Sequence, residues 1–164
     1  MGTATPFTGI DLGRAVVRTS LYSDAVYIAQ HMRRADVREL QALGHAPLDS
    51  MRRGIILSRR CFTTLYDGVP VLMFGVVDDM EAPGIFGSIW MLGTDDLTKV
   101  RRPLVKHGKE ILAQVAQGYT HVGNGVASFN TEHIRWLKWM GFSFYNKFQV
   151  GSVEFQSFGR YVNV

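Results

Sequence analysis

The stretch "FNTEHIRWLKWMGF" (129–142) holds the residue types that could do chemistry. Asn130 stands at the head of an amphipathic run, where its side-chain oxygen could accept from first-turn backbone N–H groups. His133 lies one turn further on. An unperturbed imidazole titrates near neutral pH, which suits proton transfer; the plainer role is a surface residue near a helix start. His121 opens the preceding apolar run, and Asp78, Asp79 and Glu81 make an acidic connection. Those acids could supply a general base or simply solvate a loop. The single cysteine, Cys61, permits no intramolecular disulfide and no thiolate metal motif, so no metal is expected.

Basic residues cluster in "MRRADVR" (32–38), "MRRG" (51–54), "SRR" (58–60) and "KVRRPLVKHGK" (99–109), within a net charge of +4. Such clusters form either solvated helix faces or an anion site for phosphate groups. RNA-binding strand signatures and zinc spacings are both missing, so specific nucleic-acid recognition is not expected.

These groups must be held by regular elements. "AVVRTS" (15–20) alternates as a strand, and "SDAVYIAQHM" (23–32) and "ADVRELQALG" (35–44) have helical spacing. In the second helix Val37, Leu40 and Leu43 share a face, with Arg38 and Glu39 off it. "DSMRRGIILS" (49–58) is a third helical piece, weakened by Gly54. "CFTTLYDGVPVLMFGVV" (61–77) reads as two antiparallel strands around a "DG" hairpin turn, and "GIFGSIWMLG" (84–93) as another strand. Pro103 belongs in a first helical turn, so a long helix starts near Arg102 and ends at Gly118. A strand over 121–129, a helix over 130–140 closed by Gly141, and strands from 142 to 150 and 153 to 162 complete the chain.

At 164 residues, one α/β (α+β) domain spanning 1–164 is expected, with no internal repeat or linker. The longest apolar runs, such as "VPVLMFGVV" (69–77), are about half of what a bilayer crossing requires, so no membrane span is expected. The N-terminus lacks a basic segment followed by an apolar one and does not read as a secretory signal, which points to a cytoplasmic protein.

The spacing of Asn130, Ile134, Gly141 and Phe142 resembles the strand–Asn–helix–Gly-Phe segment of the GCN5-related N-acetyltransferase (GNAT) fold. The order of elements is similar over nearly the whole chain. "FNTEHIRWLKWMGFSF", "DGVPVLMFGV" and "IWMLGTDDL" also resemble a family of small internal virion and morphogenesis proteins of short-tailed coliphages, itself regarded as acetyltransferase-like. The resemblance implies a mixed central sheet flanked by helices, with a V-shaped strand splay. It also implies acetyl-CoA as cofactor, contacted by Trp90, Met91, Leu92 and Asn130.

The family's glycine-rich pyrophosphate turn is missing. Gly93 is the only glycine before the helix, and Asp95 and Asp96 would repel phosphate. Lys99, Arg101, Arg102 and Lys106 could compensate as phosphate partners. The family's Tyr acid falls at Leu137, and its strand Glu has no counterpart in 85–92, leaving His133 and Glu81 as substitute catalytic groups. Two readings follow. The first is a phage-encoded GNAT-like protein with a degenerate acyl-CoA site, acting in virion assembly or inside the virion with other phage structural proteins, and located in the host cytoplasm or the virion. The alternative is an active N-acetyltransferase modifying a protein or a small amine.

Overall fold

The structure is a computed structural model and describes residues 11–162. The elements run β1 (Ala15–Thr19), α1 (Tyr22–Gln30), α2 (Arg34–Ala42), α3 (Pro47–Leu57), β2 (Ser58–Tyr66), β3 (Val69–Asp78) and β4 (Phe86–Gly93). A 3-10 turn (Asp95–Val100) leads into α4 (Arg101–Val115), followed by β5 (His121–Ala127), α5 (Thr131–Trp139), β6 (Ser143–Val150) and β7 (Val153–Tyr161). Most of the reading of the N-terminal segment falls outside the described residues. No helix among the described residues is long and apolar enough to cross a membrane.

The predicted order of elements holds, with shifted ends. Pro47 at the first helical position starts α3 earlier than expected, because its fixed φ suits that place and it has no N–H to leave unpaired. The predicted hairpin turns at Asp67 and Gly68 (φ 49° and 79°), the left-handed pair that a two-residue turn requires. Gly141 (φ 87°) stops the run that begins at Asn130.

Among the described residues seven strands form one mixed sheet in the order β1-β2-β3-β4-β5-β7-β6. Strand alternation divides the core between its faces. Leu72, Phe74 and Val76 point to the side covered by α4 and α5, where Leu104, Ile111, Val115, Leu137 and Met140 meet them. Met73 points to the other side, with Ala25 and Ile28 of α1, Met51 of α3, and the half-buried Trp90 and Leu92.

All neighbours pair antiparallel except β4 and β5, which are parallel and meet in only three register pairs: Phe86 with His121, Gly87 with Val122, and Ser88 with Gly123. By contrast, β4 stays paired with β3 from Gly87 to Gly93, and β5 with β7 over its whole length. The sheet therefore opens as a V between two intact halves.

Candidate functional site

Asn124 sets the point of divergence. Gly123 is the last β5 residue in the parallel ladder, and the next rung would carry the Gly125 N–H to the Ile89 carbonyl. The Asn124 side-chain amide is inserted there instead. Its Oδ1 accepts from the Gly125 N–H at 2.8 Å, and its Nδ2 donates to the Ile89 carbonyl at 2.8 Å. Both backbone groups are satisfied, yet the strands stand a side chain apart.

At the mouth of the V, α2 bridges the two strands. The Asp36 carboxylate accepts from the Gly93 N–H at the end of β4 (3.0 Å), and Arg33 N–H donates to the Gly93 carbonyl (2.9 Å). One helical turn on, Glu39 accepts from the Ala127 N–H at the end of β5 (3.2 Å). The i, i+3 spacing puts the two carboxylates on one face of α2, each meeting a different strand.

Between wedge and mouth the alternation leaves one β4 residue unengaged. Gly93 and Ile89 turn their backbone groups toward the gap, so Met91, two residues from each, does the same, and its N–H and C=O are offered by neither ladder. Around it lies a cavity of about 210 Å³, lined among others by Leu40, Phe74, Ile111, Trp136 and Phe158. Its walls are mostly apolar, with Asp36, Glu39, Asn124 and His133 as the polar exceptions.

Trp90 and Leu92 stand differently from Met91: alternation turns their backbone groups to β3, and their side chains pack toward α1 and α3. The Trp90 indole donates to Ser58 Oγ (2.8 Å).

Asn130 is buried at the predicted helix start, but its side chain makes no capping bond. It joins a polar cluster instead. Arg33 Nη2 donates to Asn130 Oδ1 and to Asp36 Oδ1 (both 2.9 Å), Arg33 Nη1 donates to Glu132 (3.1 Å), and Asn130 Nδ2 donates to Glu39 Oε2 (2.8 Å). The expectation that Glu39 lies off the buried face is corrected: helix periodicity marks apolar faces and is blind to a buried polar one. Burial pushes the Glu39 carboxyl up, against the pull of its bonds from Asn130 and Ala127.

His133 is 8% exposed, not a surface residue. Burial pushes its pKa down to about 4, against the nearby Asp36 charge, so the expected near-neutral titration is also corrected. Asp36, Glu39 and His133 offer ligand atoms within 4.8 Å of one another, a metal-like spacing. The Arg33 guanidinium already pairs with Asp36, while Glu39 is held by the Asn130 amide and the Ala127 N–H.

Glu81 sits apart from this cluster. It is exposed in the connection between β3 and β4, at the closed end of the V, where its backbone N–H donates to Asp79. The expected phosphate partners also divide. Lys99 pairs with Asp96 (3.4 Å), Arg101 with Glu132, while Arg102 is exposed and pairs with no acid among the described residues. The turn after β4 is wound as a 3-10 helix running directly into α4, with Leu97 N–H on the Thr94 carbonyl. The Asp96 N–H goes to the Thr94 hydroxyl (3.3 Å), so both of these donors turn back on Thr94 instead of fanning toward an anion. Burial pushes the Cys61 thiol up to about 11.

Sequence reasoning missed Arg33, Asp36, Glu39 and Asn124. The available signal was the i, i+3 acid pair in "ADVRE" behind an Arg, which is indistinguishable from a solvated helix face.

Solved structures match this fold over nearly the whole chain. An acetyltransferase of the GNAT family from Bacillus anthracis superposes with a TM-score of 0.67 at 10% identity, covering 93% of this chain and 97% of its own. The ribosomal-protein-S5-alanine acetyltransferase from Vibrio fischeri gives 0.67 at 11% identity, with coverage of 93% and 96%. The fold is that of the GNAT acetyltransferases. The aminoglycoside acetyltransferase AAC(6')-Ib, solved in complex with coenzyme A, has the same fold at 0.65 and 12% identity, covering 90% and 94%. No protein-family model matches the sequence, and no curated protein does. At these identities the likeness is one of fold, and function has to be read from the site.

Proposed function

We propose that the chain binds an acyl-CoA, acetyl-CoA being the simplest, with its pantetheine arm in the V between β4 and β5, and transfers the acyl group to an amine. One observation carries this reading: the Met91 N–H and C=O face an apolar slot with no ladder partner, a donor–acceptor pair suited to a secondary amide. Met91 is the cofactor contact retained from the sequence expectation; Asn130, whose amide is spent on Arg33, Glu39 and His133, holds the polar cluster together instead, and exposed Arg102, which pairs with no acid among the described residues, is a cation for a phosphate. Trp90 and Leu92 help by packing β4 in place. Acyl transfer to an ammonium group needs a base, and Glu39, which lines the slot and holds its proton more tightly than an ordinary carboxyl, fits that role better than His133 or Glu81. Glu39 takes a proton from the ammonium, the lone pair so freed attacks the thioester carbonyl, and the C–S bond breaks to release the CoA thiolate, which carries off the second proton from nitrogen.

The test is calorimetric titration with acetyl-CoA and with CoA, followed by thiol release in the presence of small primary amines and amine-bearing peptides. Binding that weakens several-fold in Arg102→Ala, and thiol release that collapses in Glu39→Gln, are the expected results. No heat at millimolar cofactor would remove the reading.

A second reading is favoured by the turn after β4, which offers no fan of amide donors, and by the ion pairs across the mouth. In it the protein keeps the fold without catalysis and acts in phage particle assembly or within the virion, where the exposed Trp139, Tyr145 and Phe148 are available to other particle proteins. It predicts co-purification with particles from infected cells, and absence from procapsids and virions would count against it.

A further inference from the structure

The Asn130 amide has only one orientation that suits its neighbours. Arg33 can only donate, so the atom it reaches is the Asn130 oxygen; the Glu39 carboxylate accepts, so the atom facing it is the nitrogen. The same Nδ2 lies 3.2 Å from His133 Nδ1 and carries a second hydrogen to give. His133 Nδ1 is therefore an acceptor without a proton, and the neutral ring carries its hydrogen on Nε2.

That Nε2–H is buried and has no hydrogen-bond partner. The Asp36 Oδ1 atom is 3.9 Å away, beyond a hydrogen bond, and already accepts from Arg33. His133 also lines the slot, on the α5 face that continues one turn on with Leu137. A buried donor left unpaired in a residue that lines a cavity is unfavourable unless a ligand entering the cavity comes close enough to accept from it.

We propose that His133 Nε2–H donates to a carbonyl oxygen of the ligand held in the β4–β5 cleft. This rests on the acyl-CoA reading above, and the carbonyl belongs to a pantetheine amide or to the thioester. The role asked of His133 is that of a fixed neutral dipole: it orients and polarises a carbonyl without giving up its proton. Arg33, Asp36 and Glu132 surround the ring electrostatically, and its conjugate acid forms only near pH 4, so the donor stays neutral through the physiological range.

Imidazole ¹⁵N NMR of the whole protein tests the tautomer directly, with Nε2 protonated and Nδ1 bare as the expected result. Adding CoA should move the Nε2–H signal if an amide carbonyl accepts; movement with acetyl-CoA alone would assign the thioester. His133→Leu should lose about tenfold in affinity, the 1.4 kcal/mol of one hydrogen bond, and His133→Gln, whose amide reaches as far as Nε2, should recover most of it. Should CoA bind while the His133 signals stay still and His133→Leu binds as well as the parent, the donor role is overturned and the cofactor reading stands. An Nδ1-protonated ring overturns it too. If neither CoA nor acetyl-CoA binds the folded parent, both readings fall together.

Discussion

At the mouth of the cleft, one guanidinium is shared by three acceptors on two elements. Arg33 is nearly buried and holds Asp36, Asn130 and Glu132 together, so it ties α2 to the start of α5. Removing it would leave the fully buried Asp36 carboxylate without its cation. Arg33→Met is expected to cost about 3–5 kcal/mol in chemical denaturation. Asp36→Asn in the same chain should recover part of that loss, because the unpaired charge is then gone.

The two titratable neighbours of this cluster act in opposite directions with pH. His133 has its pKa lowered from 6.5 to about 4, so its contribution to stability is present above pH 6.5 and is lost as pH falls toward 4. Glu39 is raised above 4.5, so its contribution is present below that value and is lost as pH rises through its folded pKa. Thermal melts between pH 7 and about 4 should show His133→Gln flattening the fall on acidification, by at most about 1.4 kcal/mol per pH unit. Glu39→Gln should steepen it. A parent-like profile in both variants would show that neither group is shifted.

Among the elements, β4 and β5 matter for what they do not do. Each is fully paired to its outer neighbour, so the V does not depend on weak strands; it depends on the Asn124 amide sitting in the ladder. Asn124→Ala leaves the Gly125 N–H and the Ile89 carbonyl to find each other. We expect a stability change within about 1 kcal/mol, since one set of hydrogen bonds replaces another. Cofactor affinity should nevertheless fall as the slot shortens by a rung, and amide exchange at Gly125 should slow.

Helix α3 shows the same dependence on close fit. Gly54 lowers its helical propensity, but a Cβ there would come within 2.6 Å of Trp90 Cζ2, and that ring is held by its bond to Ser58. Gly54→Ala should therefore destabilise by about 1–3 kcal/mol despite the roughly 1 kcal/mol it adds to the helix. A urea titration with unchanged m-value would measure it.

For the whole molecule, the sheet behaves as two halves, β1–β4 and β5-β7-β6, joined by three register pairs, the crossover through α4 and the α2 bridge. A ligand lying along the V contacts both halves and so stabilises the native state as a unit. At a hundred times its dissociation constant acetyl-CoA should add about 2.7 kcal/mol, or a rise in Tm of about 5–10 °C for a chain of this size. Trp139 is exposed, its indole donating to the Val105 carbonyl, whereas Trp136 lines the cleft.

The order of strands and helices, the hairpin at Asp67-Gly68, the stop at Gly141 and the placement of Asn130 before α5 were all legible in the residues. Each is a local preference: apolar spacing, a turn pair, a left-handed glycine, a proline in a first turn. The roles of Asn130, Arg33, Asp36, Glu39 and Asn124 were not, because each depends on a partner far along the chain or on a rung that fails to form. Only the assembled sheet decides that β5 leaves β4 after three pairs, that α2 brings its carboxylates to two different strand ends, and that His133 loses its solvent. Burial and long-range pairing set those charges and tautomers, and neither is encoded in the spacing of neighbouring residues.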